Sequence, residues 1–391
     1  FNDAHPAAYT LLLRWLRALW DSPAAMLAFN VGVFCGGSLL LAETVRRRAG
    51  PLAYLVPPVL FLPFVFNFIG VLWKDTALAV SWWGAASIAA FVAAQPGRRG
   101  LAGHGLMAAA YGLFAFGLLV RHNALTAAPF LLTALIILHL GRCPPLRRLV
   151  VLFAMACVLS IGGLQGANMA LRQIYNIQRM PLLSDLIIYD LAGISLSTNQ
   201  NHFPVPFVNG EMDRIRACYK TTDWNAFADH RHCGFVYDRI EDQGWIGNPR
   251  LTRYWLRVIT QYPAAYAQHR FAVFGSFLRI WDAHSYYVLH EGIDKNALGL
   301  SHPEPPLFSR FKLYIKSVED AFFMRPWFWL SVNVVLIGLA WRRRPEPLHM
   351  ALMAVAGSGT VYLLTYLPFG IASDFRYAYW AIIGAVWTVM L

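Results

Sequence analysis

The sequence predicts an all-α protein that crosses a membrane several times, and two observations lead to this prediction. Of the 391 residues, 57% are hydrophobic and only 14% are charged, and the mean hydropathy is +0.44. A soluble domain carries more charge and has fewer long apolar runs. Apolar segments long enough to cross a bilayer as helices also recur along the chain, so we expect a polytopic bundle of transmembrane helices.

About nine transmembrane helices are expected on this basis. They are predicted at 23–45, 51–72, 77–95, 101–120, 123–140, 149–168, 327–341, 348–368 and 377–391. A more polar stretch at 7–20 mixes aromatic residues with Arg14 and Arg17, which is typical of a helix that lies in the membrane interface. The chain then divides into an N-terminal membrane module (1–168), an extracytoplasmic domain (169–326) and C-terminal transmembrane helices (327–391).

Short arginine-rich connectors predict the orientation of these helices. Eleven arginines lie in four connectors, at 46–48, 98–99, 142–148 and 342–344. Every second connector is arginine-rich, and arginine is enriched in cytoplasmic loops. The N-terminal residues, the connectors at 73–76, 121–123 and 373–377, and the segment 169–326 are therefore expected on the outer face. The net charge of +12 is explained by this distribution, so no nucleic-acid partner is expected.

The segment 169–326 is the only stretch long enough for a separate folded unit. Helical patterns at about 182–195, 208–218, 235–242 and 249–280 predict a mostly helical domain. Cys218 and Cys233 both lie in it, and in an oxidising periplasm we expect them to form a disulfide. Two free thiols are the alternative, and a zinc site with His230 and His232 is a further one, although the spacing fits no common pattern of zinc ligands.

Residues suited to chemistry occur in the outer connectors. Asp3 and His5 stand two residues apart before Pro6, and a carboxylate beside an imidazole suits proton transfer. The alternative is an ordinary polar loop before a helix that begins near proline. Lys74 and Asp75 stand beside apolar spans, where charges are costly unless they are solvated, paired or used. They form either a pair that anchors a hairpin or a site in which Lys74 binds an anion.

Two further outer connectors carry arginine. Arg121, His122 and Asn123 form a tight turn, and the planar guanidinium of Arg121 suits phosphate. Asn123 alone would also fit a helix N-cap, and His122 is more often structural than catalytic. Arg376 and Tyr377 either anchor the chain in the aromatic belt or add a cation to the same outer pocket.

The outer domain adds one more pair of candidates. His269 and Arg270 end an aromatic helical run, and mixed aromatic and polar residues suit a sugar ring as well as an ordinary interfacial surface. Several cations and at least one carboxylate thus converge on the outer membrane surface. A sugar carried on a polyprenyl phosphate would explain them together, because its phosphate lies at the headgroup level and its sugar projects outward.

This layout resembles the GT-C superfamily of membrane glycosyltransferases, the group that includes the aminoarabinose transferase of lipid A and the protein mannosyltransferases. The resemblance is carried by four short motifs, His5-Pro6-Ala7-Ala8-Tyr9, Lys74-Asp75, Arg121-His122-Asn123-Ala124-Leu125 and Asp374-Phe375-Arg376-Tyr377. In that order, they are similar to four features of the family: the HPPLY-type motif, a polar pair at the outer end of a later helix, the R-x-N-A-L turn and the S-x-R-Y turn.

The chain departs from the family pattern at its N-terminus. Ala7 and Ala8 replace Pro-Leu, and the family usually has a first transmembrane helix and an acidic outer loop before this motif. We therefore expect either that Asp3 does the work of the family's catalytic acid, or that this acid and the first helix lie upstream of Phe1.

The resemblance implies an inverting glycosyltransferase of the bacterial inner membrane, with its site facing the periplasm. The implied partners are a polyprenyl-phosphate-linked sugar as donor and a lipid, glycan or protein as acceptor. Asp3 would be the general base and His5 would orient it or bind substrate. The charge on the leaving phosphate would be stabilised by Lys74, Arg121 and Arg376. The remaining implied substrate-binding residues are Asp75, His122, Asn123, His269, Arg270 and Tyr377.

Other options stay open at this point. No cofactor is certain, and a divalent metal is an option because some relatives use one, although the sequence shows no carboxylate pair to hold it. The main alternative function is a transporter or flippase of lipid-linked sugars. Against it, the spans lack a matched set of interrupted helices, and the polar residues cluster at one face rather than near the bilayer midplane. A scaffold with a binding domain and no catalysis is a third option.

Overall fold

The computed structural model describes residues 6–95, 100–178, 180–229, 231–280, 288–293, 296, 299, 301, 305–343 and 346–391. The described part is all-helical, with one isolated bridge between Asp223 and Ala372. It forms two compact units. The bundle unit consists of the described residues in 6–177, 288–363 and 375–391. The small unit consists of those in 178–280 and 364–374. The predicted boundaries at 168 and 326 stay a prediction.

The N-terminal part of the bundle unit contains eight helices. They are α1 (Ala7–Leu19), α2 (Ala24–Ala49), α3 (Val56–Leu60), α4 (Pro63–Phe66), α5 (Lys74–Ala93), α6 (Leu101–Val120), α7 (Ala124–Leu140) and α8 (Leu146–Tyr175). The short helix α1 begins directly after Pro6 and coincides with the stretch that the sequence predicts to lie in the interface.

The small unit contains six helices from the middle of the chain and one from its C-terminal part. The six are α9 (Leu182–Thr198), α10 (Glu211–Cys218), α11 (Asn225–Ala228), α12 (Gly234–Asp242), α13 (Pro249–Gln261) and α14 (Pro263–Leu278). Helices are confirmed at each of the four stretches where the sequence predicts them. The stretch expected at 249–280 is two helices, because Pro263 begins a new helix after Tyr262.

The C-terminal part of the chain contains the remaining helices. They are α15 (Pro306–Ser317), α16 (Pro326–Trp341), α17 (Pro347–Leu364), α18 (Tyr366–Phe369) and α19 (Tyr379–Met390), with α18 in the small unit. Among the described residues, 3₁₀ helices cover Gly50–Leu55, Phe322–Met324 and Phe375–Ala378.

The helix α5 is the buried centre of the bundle unit. It packs against α2, α6, α7 and α19, and most of its residues are inaccessible to solvent. A helix that is apolar on all faces is stable only when it is surrounded by other apolar elements. The polar pair Lys74 and Asp75 opens this helix, so the start of α5 is held in place by the rest of the bundle.

Four buried tryptophans, Trp82, Trp83, Trp380 and Trp387, fill the interior of the bundle unit. Their indole N–H groups donate to the Phe114 carbonyl (3.1 Å) and to the hydroxyls of Ser38 (3.2 Å), Ser358 (3.0 Å) and Ser87 (3.2 Å), respectively. Each large ring is thus buried without leaving its polar atom unsatisfied. Gly117 on α6 allows the Trp82 ring to lie against its backbone, where a Cβ atom would clash.

Several apolar helices indicate a multi-pass membrane protein. Five of the described helical stretches are long and apolar enough to cross a membrane, namely Ala24–Leu60, Lys74–Ala93, Leu101–Val120, Leu146–Tyr175 and Pro347–Phe369. Two shorter apolar helices, α7 and α16, accompany them. The predicted number of about nine spans stays a prediction.

The predicted span at 51–72 is not a continuous helix. Its residues form a 3₁₀ helix and the short helices α3 and α4, and Pro51, Pro57 and Pro63 all lie within the first two residues of these elements. Proline lacks an N–H group and clashes with the preceding turn, so it begins helices but interrupts them internally. Four prolines in thirteen positions therefore break an apolar run that is otherwise long enough to span.

Candidate functional site

Residues from three separate connectors meet at one end of the bundle unit. Asp75 lies in the first turn of α5, Arg121 directly follows α6, and Tyr377 lies in the 3₁₀ helix before α19. Asp75 contacts Arg121, and the Arg121 guanidinium lies over the Tyr377 ring, 4.8 Å from its centre. Together with Trp73, Lys74 and Arg376, these residues are called the rim cluster below.

The pair of Asp75 and Arg121 is the buried part of the rim cluster. The Nε atom of Arg121 lies 3.0 Å from Oδ1 of Asp75, and its Nη1 atom donates to Oδ2 at 3.1 Å. The Asp75 side chain is 2% exposed and that of Arg121 is 12% exposed. One charge-assisted hydrogen bond and the close approach of Nε thus hold the guanidinium against the carboxylate. Asp75 therefore positions Arg121.

Arg376 is held by aromatic rings. Its guanidinium lies over the Trp73 ring at 4.1 Å and over the Tyr377 ring at 5.0 Å, and its Nη2 atom donates to the Tyr377 hydroxyl at 3.1 Å. Trp73 in turn stacks on Phe68 and contacts the His290 ring. Contacts between a guanidinium and ring faces restrict the position of the cation.

Lys74 completes the positive charge of the rim cluster. The charges of Arg121, Asp75 and Arg376 all act on Lys74, so each of these three side chains lies within electrostatic range of it. Three positive charges and one negative charge sum to +2. The N-terminus of α5 adds the positive end of a helix dipole. Cations gathered at a helix N-terminus are a common setting for anion binding in proteins.

Helix α1 joins the bundle unit next to the rim cluster. The Tyr9 hydroxyl donates to the Leu72 carbonyl at 2.7 Å, two residues before Lys74. The motif that contains Tyr9 is thus close to the start of α5. Asp3 and His5, the predicted general base and its neighbour, lie outside the described residues.

The other residues of the 121–123 turn contribute less to the cluster. The backbone closes this turn, with the N–H of Ala124 donating to the Arg121 carbonyl at 3.1 Å. His122 is exposed. Asn123 stands at the N-cap of α7 and is half-buried, but its side chain accepts no capping hydrogen bond. The N-cap role considered from the sequence is therefore not seen.

His269 and Arg270 belong to the small unit, where they surround a buried carboxylate. Nε2 of His269 lies 3.0 Å from Oδ1 of Asp190, and Nη2 of Arg270 lies 2.5 Å from the same atom. The indole N–H of Trp255 donates to Oδ2 of Asp190 at 3.0 Å, and the Tyr219 hydroxyl lies 2.7 Å from Nδ1 of His269. This network joins α9, α13 and α14.

The network lies in the interior of the small unit. Asp190 is fully buried, and His269 and Arg270 are each 3% exposed. Burial lowers the pKa of His269, while the nearby Asp190 carboxylate acts in the opposite direction. Nη1 of Arg270 also donates to the Gly370 carbonyl at 2.8 Å, which ties α14 to the segment after α18. These contacts are sufficient to explain both residues structurally, and their predicted role in binding substrate stays a prediction.

The predicted disulfide is confirmed. Cys218 and Cys233 are bonded, and their Cα atoms are 6.3 Å apart. The bond joins the end of α10 to the residue before α12 and uses both thiols, so they are not ligands of a zinc ion. Among the described residues, no group of three or more His, Cys, Asp or Glu side chains is placed to hold a metal. His230 lies outside the described residues.

Some contacts were not predicted from the sequence. Asp190 is the clearest case, although a signal was present, because it follows the apolar residues 186–189 in α9. A carboxylate in a buried stretch requires a partner. The contact of Trp73 with Arg376 joins residues about 300 positions apart, and no pattern in the sequence predicts it.

Comparisons of the chain with protein-family models, with curated proteins and with solved structures found no match. The class that the fold and the site define is an all-helical, multi-pass membrane protein with a cationic cluster at one end of its bundle. Any more specific function rests on the sequence motifs and on the geometry of that cluster.

Proposed function

We propose that the chain is a membrane glycosyltransferase of the GT-C type, which moves a sugar from a polyprenyl-phosphate carrier to an acceptor on the extracytoplasmic face. The observation that carries the proposal is the rim cluster. Its charged residues Lys74, Asp75, Arg121 and Arg376 come from three connectors, all expected on the outer face. A lipid-borne phosphate is an anion that resides at this level of a membrane.

The chemistry of the transfer requires positive charge at this place. The acceptor oxygen attacks the anomeric carbon, the bond from that carbon to the phosphate oxygen breaks, and the electron pair stays on the phosphate. The leaving monophosphate thus gains negative charge in the transition state. The positive charges of Lys74 and Arg376 offset this negative charge. Arg121 contributes to the same stabilisation from a position that Asp75 fixes. Electrostatic stabilisation by preorganised donors is usually the largest single contribution to such a rate.

Deprotonation of the acceptor hydroxyl is assigned to Asp3, with His5 orienting the carboxylate. The contact of Tyr9 with Leu72 supports this assignment, because it brings helix α1 close to the rim cluster. The ring faces of Trp73 and Tyr377 lie against the guanidinium groups of Arg376 and Arg121, so in this proposal the two rings hold the cations in place.

The opposite end of the bundle unit agrees with the alternation of connectors on which the proposed orientation rests. Val92 near the end of α5, His104 near the start of α6 and Arg142 after α7 line one pocket of about 530 Å³. The rim cluster joins the start of α5 to the end of α6, so the two helices run in opposite directions and their ends alternate as the arginine rule requires. About nine spans then require the broken segment 51–72 to cross the membrane as well.

A transfer assay with a matched control tests the proposal. The protein, reconstituted in lipid nanodiscs, is mixed with a radiolabelled extract of polyprenyl-phosphate sugars and with envelope acceptors from cells that lack the gene. Loss of Lys74 or Arg376 to alanine should slow sugar transfer by about a hundredfold, as expected for one lost electrostatic donor. Arg342→Ala, which changes an exposed arginine in a connector predicted to be cytoplasmic, should leave the rate unchanged.

The same cells distinguish transfer from flipping. If the chain is a transferase, carrier-linked sugar should accumulate in the outer leaflet after deletion of the gene. Accumulation in the inner leaflet would instead indicate a flippase. No transfer by the wild-type protein with any carrier in the extract would overturn the proposed activity.

A further inference from the structure

A second pocket lies in the small unit, where α9, α11 and α12 approach one another. Its volume is about 290 Å³, below the usual range for drug-sized ligands. Asp185, Trp224, Phe227, Tyr237 and Glu241 are among its lining residues. It shares none of these residues with the network around Asp190, and the proposed sugar transfer does not use it.

The described lining of the pocket is negatively charged. Of the described residues that line it, two bear carboxylates and none bears a basic group. The charges of both Asp185 and Glu241 act on the Tyr237 hydroxyl, which places the two carboxylates around one ring. Asp185 is half-buried, and burial raises its pKa to about 6. Burial of a carboxylate is costly unless a positive charge or hydrogen-bond donors compensate it.

The remaining lining suits an organic cation. Trp224, Phe227 and Tyr237 each contribute an aromatic ring, and Met180 adds a polarisable thioether. Aromatic faces attract cations, and aromatic cages bind alkylated ammonium groups in many proteins. A neutral sugar would stack on these rings, but it would leave the charge of the carboxylates uncompensated.

We propose that this pocket binds a small organic cation that carries an alkylated ammonium group. The rings of Trp224 and Tyr237 contact the ammonium, and the carboxylates of Asp185 and Glu241 balance its charge. The proposal is independent of the glycosyl transfer proposed above, so either can fail without the other.

Choline and its uncharged carbon analogue, in which a quaternary carbon replaces the nitrogen, test the proposal. The two molecules have nearly the same shape and differ in charge. Binding to the full chain in detergent is measured by saturation-transfer NMR and by tryptophan fluorescence. Choline should bind saturably and about tenfold more tightly than the analogue, as one or two cation–π contacts and a nearby carboxylate imply. Equal binding of the two, or no saturable binding of choline, would overturn the proposal.

Variants locate the site. Asp185→Asn and Trp224→Leu should each weaken choline binding about tenfold. Asp242→Asn is the matched control, because Asp242 is an exposed carboxylate on α12 that does not line the pocket. An equal loss in the control would mean that choline responds only to the net charge of the surface. If Trp224→Leu fails to fold, the comparison of the two ligands on the wild-type protein still decides the matter.

Discussion

Replacement of Asp75 by asparagine should destabilise the bundle unit far more than the same change at an exposed aspartate. Asparagine has nearly the same volume, so the change creates no cavity. It removes the negative charge that pairs with Arg121 and leaves a guanidinium that is 12% exposed without that charge. The loss therefore measures the electrostatic contribution of the pair.

The expected magnitude follows from the burial of the pair. Removal of one partner of a buried ion pair typically costs about 3–5 kcal/mol, and the residual exposure of Arg121 places this case near the lower end. Asp21 is the control, because it pairs with Arg17 at a site where the two side chains are 82% and 49% exposed. Exposed pairs contribute about 0–1 kcal/mol, so Asp21→Asn should be nearly neutral.

A double-mutant cycle gives the test. Unfolding is followed by tryptophan fluorescence as a denaturing detergent is titrated into mixed micelles, for the wild type, Asp75→Asn, Arg121→Gln and the double variant. The double variant should lose less stability than the two single losses added together, by at least about 1.5 kcal/mol. Additive losses, or a cost of Asp75→Asn no larger than that of Asp21→Asn, would refute the inference that Asp75 fixes Arg121 through a buried pair.

Three predictions concern the small unit. Burial raises the pKa of Asp185 from 3.8 to about 6, so the folded state favours the protonated acid. The stability that this group contributes at low pH is therefore lost as the pH rises towards and through 6. Asp185→Asn should therefore raise the free energy of unfolding at pH 8 by roughly 1 kcal/mol, after a discount for the exposed part of the side chain. The effect should vanish well below pH 3.8, where the carboxyl is protonated in both states. Gly193→Ala should lower the melting temperature and displace the His269 ring, because a Cβ atom at position 193 clashes with that ring. An NMR spectrum of the histidine side chains would report the displacement. Cys218→Ser should cost about 3 kcal/mol of stability, because the disulfide to Cys233 closes a loop with a sequence separation of 15, and an unchanged unfolding midpoint with and without reductant would contradict this.

The helices could be predicted where the sequence itself determines them. Helix α5 is apolar on all faces, and α9, α10, α12, α13 and α14 follow apolar patterns that neighbouring residues in the sequence are enough to specify. Helix α11, of four residues, was not predicted. The segment 51–72 shows the limit of hydropathy alone. Its total apolarity predicts a span, but Pro57, Pro58 and Pro63 decide the backbone, and this information was present in the sequence.

The candidate site was only partly predictable. The connectors with Lys74, Arg121 and Arg376 could be assigned to one face, because the arginine-rich loops alternate. The pairing of residues within the cluster could not be predicted. A sequence pattern shows which face of a helix a residue occupies, but it does not show which distant residue that residue contacts. The adjacent residues Lys74 and Asp75 were considered as a mutual pair, whereas Asp75 contacts Arg121, 46 positions away.

The most direct test of the central proposal measures whether the rim cluster binds a lipid-borne phosphate. Native mass spectrometry of the purified protein is performed with a polyprenyl monophosphate and with the corresponding polyprenol, which lacks only the phosphate. We expect the wild type to retain the phosphate lipid in preference to the alcohol, and Lys74→Ala and Arg376→Ala each to weaken its binding about tenfold or more, while Arg342→Ala leaves it unchanged. Equal retention of the phosphate lipid and the alcohol, or equal losses in all three variants, would contradict the proposed role of the cluster.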